Sequence, residues 1–342
     1  MEPLTPSNIK NSHSPYESAV MIYSNSIGPL ALPHPHTRRR ARTNVKAALA
    51  GLVLAVLLLA SIGIIALYSY IAWILARPAV APLASNPLAA VGLHYENIAF
   101  PSADDSTRLE GWYIPAAEPS DRTLIFSHGY GGNREEIWVP IYELARYGHE
   151  QGYNVLMFDY GYVYHADRVV TGGAKESRDL IGALDYAVSR GAKEKIVWGF
   201  SMGAGTALQA ALQTDLIDGM ILDSTFILEP DTLHHNLQQY GDLPREPSLT
   251  LLRWLYPLIN GSGMDEVPYQ QLKETVYEMP ILFIHGTLDE RSPYEIIRNL
   301  ALNQNNSSDY WLVPGATHEL VYRAEKEQYL QRTTAFLEQI PR

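Results

Sequence analysis

The sequence contains no cysteine. That absence excludes a disulfide framework, a thiolate metal site and a cysteine nucleophile. Charge is also sparse, at 18% of residues against 46% hydrophobic, which is the balance of a chain with a full core and not of a disordered one. Basic charge is the scarcer sign, with 26 Lys and Arg against 37 Asp and Glu and a net charge of −11. The deficit is uneven. Residues 1–46 hold six basic and two acidic groups, so the rest of the chain carries 20 basic and 35 acidic ones. Such an acidic body cannot supply the Lys and Arg contacts that phosphate backbones require, and a nucleic-acid partner is excluded.

Charge vanishes altogether from Ala47 to Ala76. A bilayer core needs roughly twenty apolar residues, so the run predicts a transmembrane helix within residues 45–77. Tyr68, Tyr70 and Trp73 gather toward its C-terminal end, where amphipathic rings suit the interface. Arg38, Arg39, Arg40, Arg42 and Lys46 precede it and Arg77 alone follows closely. The positive-inside rule then puts the N-terminus in the cytoplasm and everything after about residue 77 outside, on the cell membrane. A cleaved signal has a shorter apolar region. Ala79-Val80-Ala81 resembles a cleavage site, but Pro82 follows it directly, and an uncleaved signal anchor is the expectation. Residues 1–44, rich in Pro, Ser, Asn and His, read as a disordered tail in which His34 and His36 are solvated. Residues 78–92, with three prolines and several alanines, read as a linker.

From residue 93 onward strands and helices alternate. Strands are predicted at Tyr95–Phe100, Leu109–Ile114, Thr123–Phe126, Val155–Phe158, Lys195–Phe200, Gly219–Leu222, Ile281–His285 and Tyr310–Val313. Helices are predicted near Pro140–Glu150, Lys175–Arg190, Met202–Gln213, Tyr294–Leu302 and Ala324–Gln339, the second with Leu180, Ile181, Leu184 and Val188 on its apolar face. The fold class is therefore α/β, an eight-stranded, mostly parallel sheet with helices on both faces and ligand sites at the C-terminal strand ends. Residues 226–278 break the alternation with five prolines and apolar helical pieces, and read as a lid inserted after a core strand.

Gly199-Phe200-Ser201-Met202-Gly203 lies between a predicted strand and a predicted helix, the context that the G-x-S-x-G pattern requires of a nucleophilic serine. Flanking glycines are expected to spare a strained turn from collisions with the nucleophile. The hydroxyl needs a base and the base an orienting carboxylate. His318, after the last strand, is the candidate base, and Asp289, after the preceding strand, the candidate acid, with Glu290 its main rival. Asp223 and Asp159 end earlier strands and read as structural; His128 and His285 read as residues that shape loops. The backbone N–H groups of Met202 and Tyr130 are the candidate oxyanion donors. The loop His128-Gly129-Tyr130-Gly131-Gly132 is not followed by Lys-Ser/Thr, which excludes a phosphate-binding P-loop. The adjacent His234-His235 in the expected lid are weak evidence for a ligand set, and no metal or organic cofactor is implied.

The stretches Leu109-Glu110-Gly111-Trp112-Tyr113-Ile114-Pro115, Phe126-Ser127-His128-Gly129-Tyr130-Gly131-Gly132-Asn133-Arg134, Gly152–Tyr160, the Ser201 pentapeptide, Leu222-Asp223-Ser224 and the segments around Asp289 and His318 together resemble the α/β-hydrolase superfamily. The likeness is greatest to bacterial hydrolases with a serine-aminopeptidase-like, or Bem46-like, domain. It runs from about Tyr95 to Ile340 and implies a Ser201–His318–Asp289 triad. One departure stands out. The pattern Asp-x-Arg-Gly-x-Gly common in that family is replaced by Asp159-Tyr160-Gly161-Tyr162-Val163-Tyr164. The expected activity is hydrolysis of a small-molecule or lipid-like carboxylic ester through an acyl-enzyme. A peptidase or amidase, a thioesterase, and a binding protein on a hydrolase fold are the alternatives.

Overall fold

The computed structural model describes residues 44–165, 168–304 and 308–340. The expected tail, with its arginines and His34 and His36, lies outside the described residues apart from Asn44. The chain divides within its first helix into a short unit, Met1–Leu54, and a large one, Ala55–Arg342. Of the short unit, the described part is Asn44 and the beginning of helix α1 (Val45–Leu75), every residue of it exposed. That helix is long and apolar enough to cross a membrane.

The large unit is built on eight strands: β1 (Glu96–Pro101), β2 (Arg108–Ile114), β3 (Arg122–Ser127), β4 (Asn154–Phe158), β5 (Glu194–Phe200), β6 (Gly219–Asp223), β7 (Ile281–Gly286) and β8 (Asp309–Val313). They form one sheet in the order β1-β2-β4-β3-β5-β6-β7-β8. β2 runs antiparallel to both its neighbours and every other pairing is parallel. The helices are α2 (Pro87–Val91), α3 (Ile141–Glu150), α4 (Glu176–Ser189), α5 (Met202–Ala211), α6 (Pro230–Leu237), α7 (Arg245–Asn260), α8 (Tyr269–Glu274), α9 (Tyr294–Leu302), α10 (Val321–Ala324) and α11 (Lys326–Gln339).

Central strands are buried on both faces, so they read as continuous apolar runs. Their alternate side chains feed two cores. Ile125, Val197 and Leu222 meet the helices α4, α5 and α9 in one core. Leu124, Phe126, Ile196, Trp198 and Phe200 meet α3 and α11 in the other.

Three expectations need correction. The linker is not plain coil: α2 lies within it, capped at its start by the Asn86 carboxamide, which accepts from the Ala89 N–H, and at its end by Gly92 at φ 73°. On α4 the buried face is Leu180, Ala183, Leu184 and Ala187, whereas Val188 is exposed. The last predicted helix, near Ala324–Gln339, is α11 and starts at Lys326; an unpredicted short helix, α10, precedes it, the two separated at Glu325, whose φ/ψ of −138°/52° is not helical.

The insertion between β6 and β7 holds α6, α7 and α8. The α7 residues Leu252 and Tyr256 are buried in a third cluster with Leu233 and Leu237 of α6 and Tyr68, Ile71 and Ala72 of α1.

Candidate active site

Ser201 stands between β5 and α5 with φ/ψ of 50°/−117°, a strained conformation for a residue with a Cβ. Parallel pairing with β6 holds the turn, and the Ser201 N–H donates to the Asp223 carbonyl (2.9 Å). The flanking glycines are needed, but for a different reason from the one expected. A Cβ at residue 203 would lie 2.0 Å from the Ser127 carbonyl oxygen, and one at residue 199 would lie 2.6 Å from the Ala204 Cα. The collisions are with neighbouring backbone, from β3 and from the first turn of α5, and not with the serine side chain.

The three expected residues converge from the ends of three strands. The Ser201 Oγ is 2.7 Å from His318 Nε2, and His318 Nδ1 is 2.7 Å from Asp289 Oδ2. In this arrangement the serine hydroxyl donates to Nε2 and the Nδ1–H donates to the carboxylate. Asp289 is saturated with donors. Its Oδ1 accepts from the backbone N–H groups of Arg291 and Ser292, and its Oδ2 also lies 3.2 Å from His285 Nε2. Burial pushes the Asp289 carboxyl up, but hydrogen bonds and charge from His285 and His318 outweigh it and hold the group well below the usual carboxylate range. Glu290, the rival acid, is exposed, and its carbonyl accepts from His235 Nε2 (2.8 Å).

Met202 is the first residue of α5, so its N–H belongs to the amides that a helix N-terminus leaves without intrahelical partners. Tyr130 follows β3 and borders the same cavity as Ser201, Met202 and His318. Its side chain reaches away to the end of α1, where the hydroxyl donates to the carbonyls of Ile74 (3.3 Å) and Leu75 (3.0 Å). His128 shapes this loop: its Nδ1–H donates to the Gly129 carbonyl (3.0 Å) and its Nε2 accepts the Tyr160 N–H (3.2 Å). Burial lowers its pKa, in keeping with a neutral ring.

Two carboxyl groups in this region escaped the sequence reading. The Glu136 Oε2 accepts the Gly129 N–H (2.8 Å), and a Cβ on Gly129 would lie 2.6 Å from the Glu319 Oε1. Both are pushed up, first by burial, Glu319 also by the charge of Glu136 beside it. Glu319 follows His318 directly at φ 57°. That adjacency was the one available signal, and Glu136 had none.

The earlier carboxylates behave as structural residues. Asp223 accepts from the Ser224 and Tyr329 hydroxyls. Asp159 accepts the Arg134 N–H (2.5 Å) and its guanidinium Nε–H (2.7 Å). Arg134 and Asp159 thus tie the loop after β3 to the end of β4. The His234 ring faces the Leu243 carbonyl and Gln238, not a metal set. Among the described residues no group of three or more His, Asp or Glu is gathered to hold a metal ion.

The strand order and the positive φ at Ser201 between β5 and α5 point to one fold, and comparison with known proteins agrees. A family model described as alpha/beta hydrolase fold matches residues 122–247. The fold is that of an α/β hydrolase. A Pyrococcus furiosus esterase superposes on the hydrolase fold of this chain with a TM-score of 0.64 at 22% identity, covering 78% of this chain and 98% of its own. Est1E from Butyrivibrio proteoclasticus does so with a TM-score of 0.55 at 18% identity, over 71% of this chain and 99% of its own. In sequence, the uncharacterized protein YfhR of Escherichia coli O157:H7 is 27% identical over 234 residues, spanning 65% of this chain and 73% of that protein.

The cavity beside Ser201 is about 180 Å³ and mostly apolar, walled by Leu75, Phe226, Leu228, Leu233, Tyr256 and Met264. Five of these six come from residues 226–278, in the insertion after β6.

Proposed function

We propose that this chain is a serine esterase tethered to the membrane by α1, with its catalytic domain outside the cytoplasm. The single observation that supports it most is the unbroken relay of two 2.7 Å contacts from Ser201 Oγ through His318 to Asp289. In the proposed reaction Ser201 Oγ attacks the ester carbonyl carbon while its proton passes to His318 Nε2. The carbonyl oxygen becomes an oxyanion held by the N–H groups of Met202 and Tyr130, each such donor being worth about 2.7–4 kcal/mol. His318 then protonates the departing alkoxide, leaving an acyl-serine. Water, deprotonated by the same nitrogen, releases the acid. Asp289 keeps the Nδ1 proton in place and stabilises the imidazolium at both steps. The esterases among the structural neighbours and the apolar cavity favour an ester over a peptide.

A fluorophosphonate probe is expected to label the folded full-length protein at Ser201. Ser201→Ala is expected to abolish labelling and to lower turnover of p-nitrophenyl esters by about 10⁶-fold. Turnover of aminoacyl-p-nitroanilides alone, with no ester hydrolysed, would overturn the reading in favour of a peptidase.

A further inference from the structure

α1 is longer than a bilayer requires. Its 31 residues fall into two parts by exposure. Residues 45–67 are exposed throughout, a stretch of about 34 Å at 1.5 Å per residue, against a hydrocarbon core of roughly 30 Å. The last two turns, from Tyr68, are different. Tyr68, Ile71 and Ala72 are buried against the insertion helices α6 and α7. The Tyr68 hydroxyl meets Ser248 Oγ, the Asn260 side-chain amide donates to the Ala72 carbonyl, and the Val170 N–H donates to the Ala76 carbonyl. Leu75 goes further and forms part of the wall of the cavity that contains Ser201. The carbonyls that α1 leaves without intrahelical partners at Ile74 and Leu75 accept from Tyr130, whose own N–H is the proposed oxyanion donor. The end of the tether is thus built into the pocket.

Two large apolar residues of α7 are uncovered. Trp254 is 71% and Leu258 is 81% exposed, one helical turn apart on the helix that packs against α1. A membrane is what lies beside α1 once its exposed stretch spans one, so the bilayer surface is the occupant that this pair fits.

From this geometry we propose that the cavity accepts the carboxyl-proximal part of the long acyl chain of an ester resident in the bilayer, with Leu75 of the anchor as one wall, and that Trp254 and Leu258 seat the insertion on the membrane surface while the chain enters. The proposal rests on the esterase reading and adds the substrate class to it. It explains why the pocket is apolar, and why the anchor joins the catalytic domain through packed side chains instead of a free linker.

The test uses the full chain reconstituted in phosphatidylcholine vesicles, assayed on p-nitrophenyl palmitate in the vesicles and on dissolved p-nitrophenyl acetate. Leu75→Trp, which fills the cavity, is expected to lower the palmitate-to-acetate ratio at least tenfold. Leu75→Ala, a milder change that enlarges the cavity, is expected to shift the preferred chain toward greater length. Leu59→Trp, on the exposed stretch of the same helix, is expected to leave the ratio unchanged. Trp254→Ser with Leu258→Ser is expected to raise the KM for the vesicle-borne ester at least fivefold. An unchanged ratio in both Leu75 variants, or an unchanged KM in the α7 variant, overturns the proposal while acetate hydrolysis leaves the esterase reading intact. Absence of turnover on both esters, together with no fluorophosphonate labelling of Ser201, overturns the esterase reading and this proposal with it.

Discussion

At the scale of single residues the site is governed by how each carboxyl is satisfied. Asp289 takes two backbone donors on one oxygen and faces two imidazoles on the other, which hold its carboxyl well below the usual carboxylate range despite its burial. Asp289→Asn keeps the shape but offers His318 Nδ1 an amide in place of a carboxylate. Turnover of p-nitrophenyl esters is expected to fall on the order of 10⁴-fold with the Tm little changed; a loss under tenfold would remove Asp289 from the relay. Asp179 is the opposite case. Burial raises its pKa to about 7, only partly offset by the Gly161 N–H that its Oδ2 accepts at 2.8 Å, and Glu176 nearby adds to the rise. The folded chain therefore holds a proton that the unfolded chain has released above its ordinary value of 3.8. Between pH 4 and pH 7 the folded state binds more protons, so stability falls as pH rises through that window. The contribution is on the order of 2–4 kcal/mol across it. Asp179→Asn, which can still accept the Gly161 N–H, should flatten that part of the pH dependence when urea unfolding is followed from pH 4.5 to 7.5. An unaltered slope would mean the proton is held elsewhere.

At the scale of elements the Ser201 turn depends on close backbone approach. The β5–α5 turn and the end of β3 come so near that a methyl group at residue 203 would overlap the Ser127 carbonyl oxygen, and backbone on both sides leaves little room to yield. Gly203→Ala is expected to cost roughly 3 kcal/mol, a fall of about 6–12 °C in Tm for a domain of this size. A Tm unchanged by differential scanning fluorimetry would contradict the tight turn. This dependence also shows why the site was legible. The strand before Ser201, the glycines and the helix after it are local, and local pattern carries them. Strand ends were read within one or two residues because buried parallel strands are short apolar runs with polar or glycine boundaries. α2 was missed although its signals were present. Asn86 is the N-cap, Pro87 the first helical residue and Gly92 the left-handed cap, but five residues are too few for an apolar period. The pairing of Glu136 with Glu319 was not legible, although Glu319 stands next to His318. Their meeting across Gly129 is a contact between a loop after β3 and a loop after β8, and no spacing encodes it.

At the scale of the whole molecule, charge and length both bear on where the catalytic domain lies. The apolar run was read as one span to Ala76, yet the structure buries its last two turns from Tyr68 among the insertion helices, because aromatic and small residues there pack on α7. The exposed remainder, 45–67, still matches a bilayer core. Moving the end of the span back to residue 67 leaves the basic flank before it unaltered: Arg38, Arg39, Arg40, Arg42 and Lys46 stay on one side. On the other side the remaining chain holds 35 acidic groups against 20 basic ones. Acidic residues count little in this rule, and it is the clustered Lys and Arg near the span that oppose translocation. The N-terminus is therefore expected inside and the catalytic domain outside. In intact cells expressing the full chain with a tag at each end, added protease should remove the C-terminal tag and spare the N-terminal one, with both lost after lysis. Protection of the C-terminal tag would invert the topology. Recovery of a secreted chain beginning near residue 82 would replace the anchor by a cleaved signal, and the Tyr130 hydroxyl would then lose the helix end on which it is held.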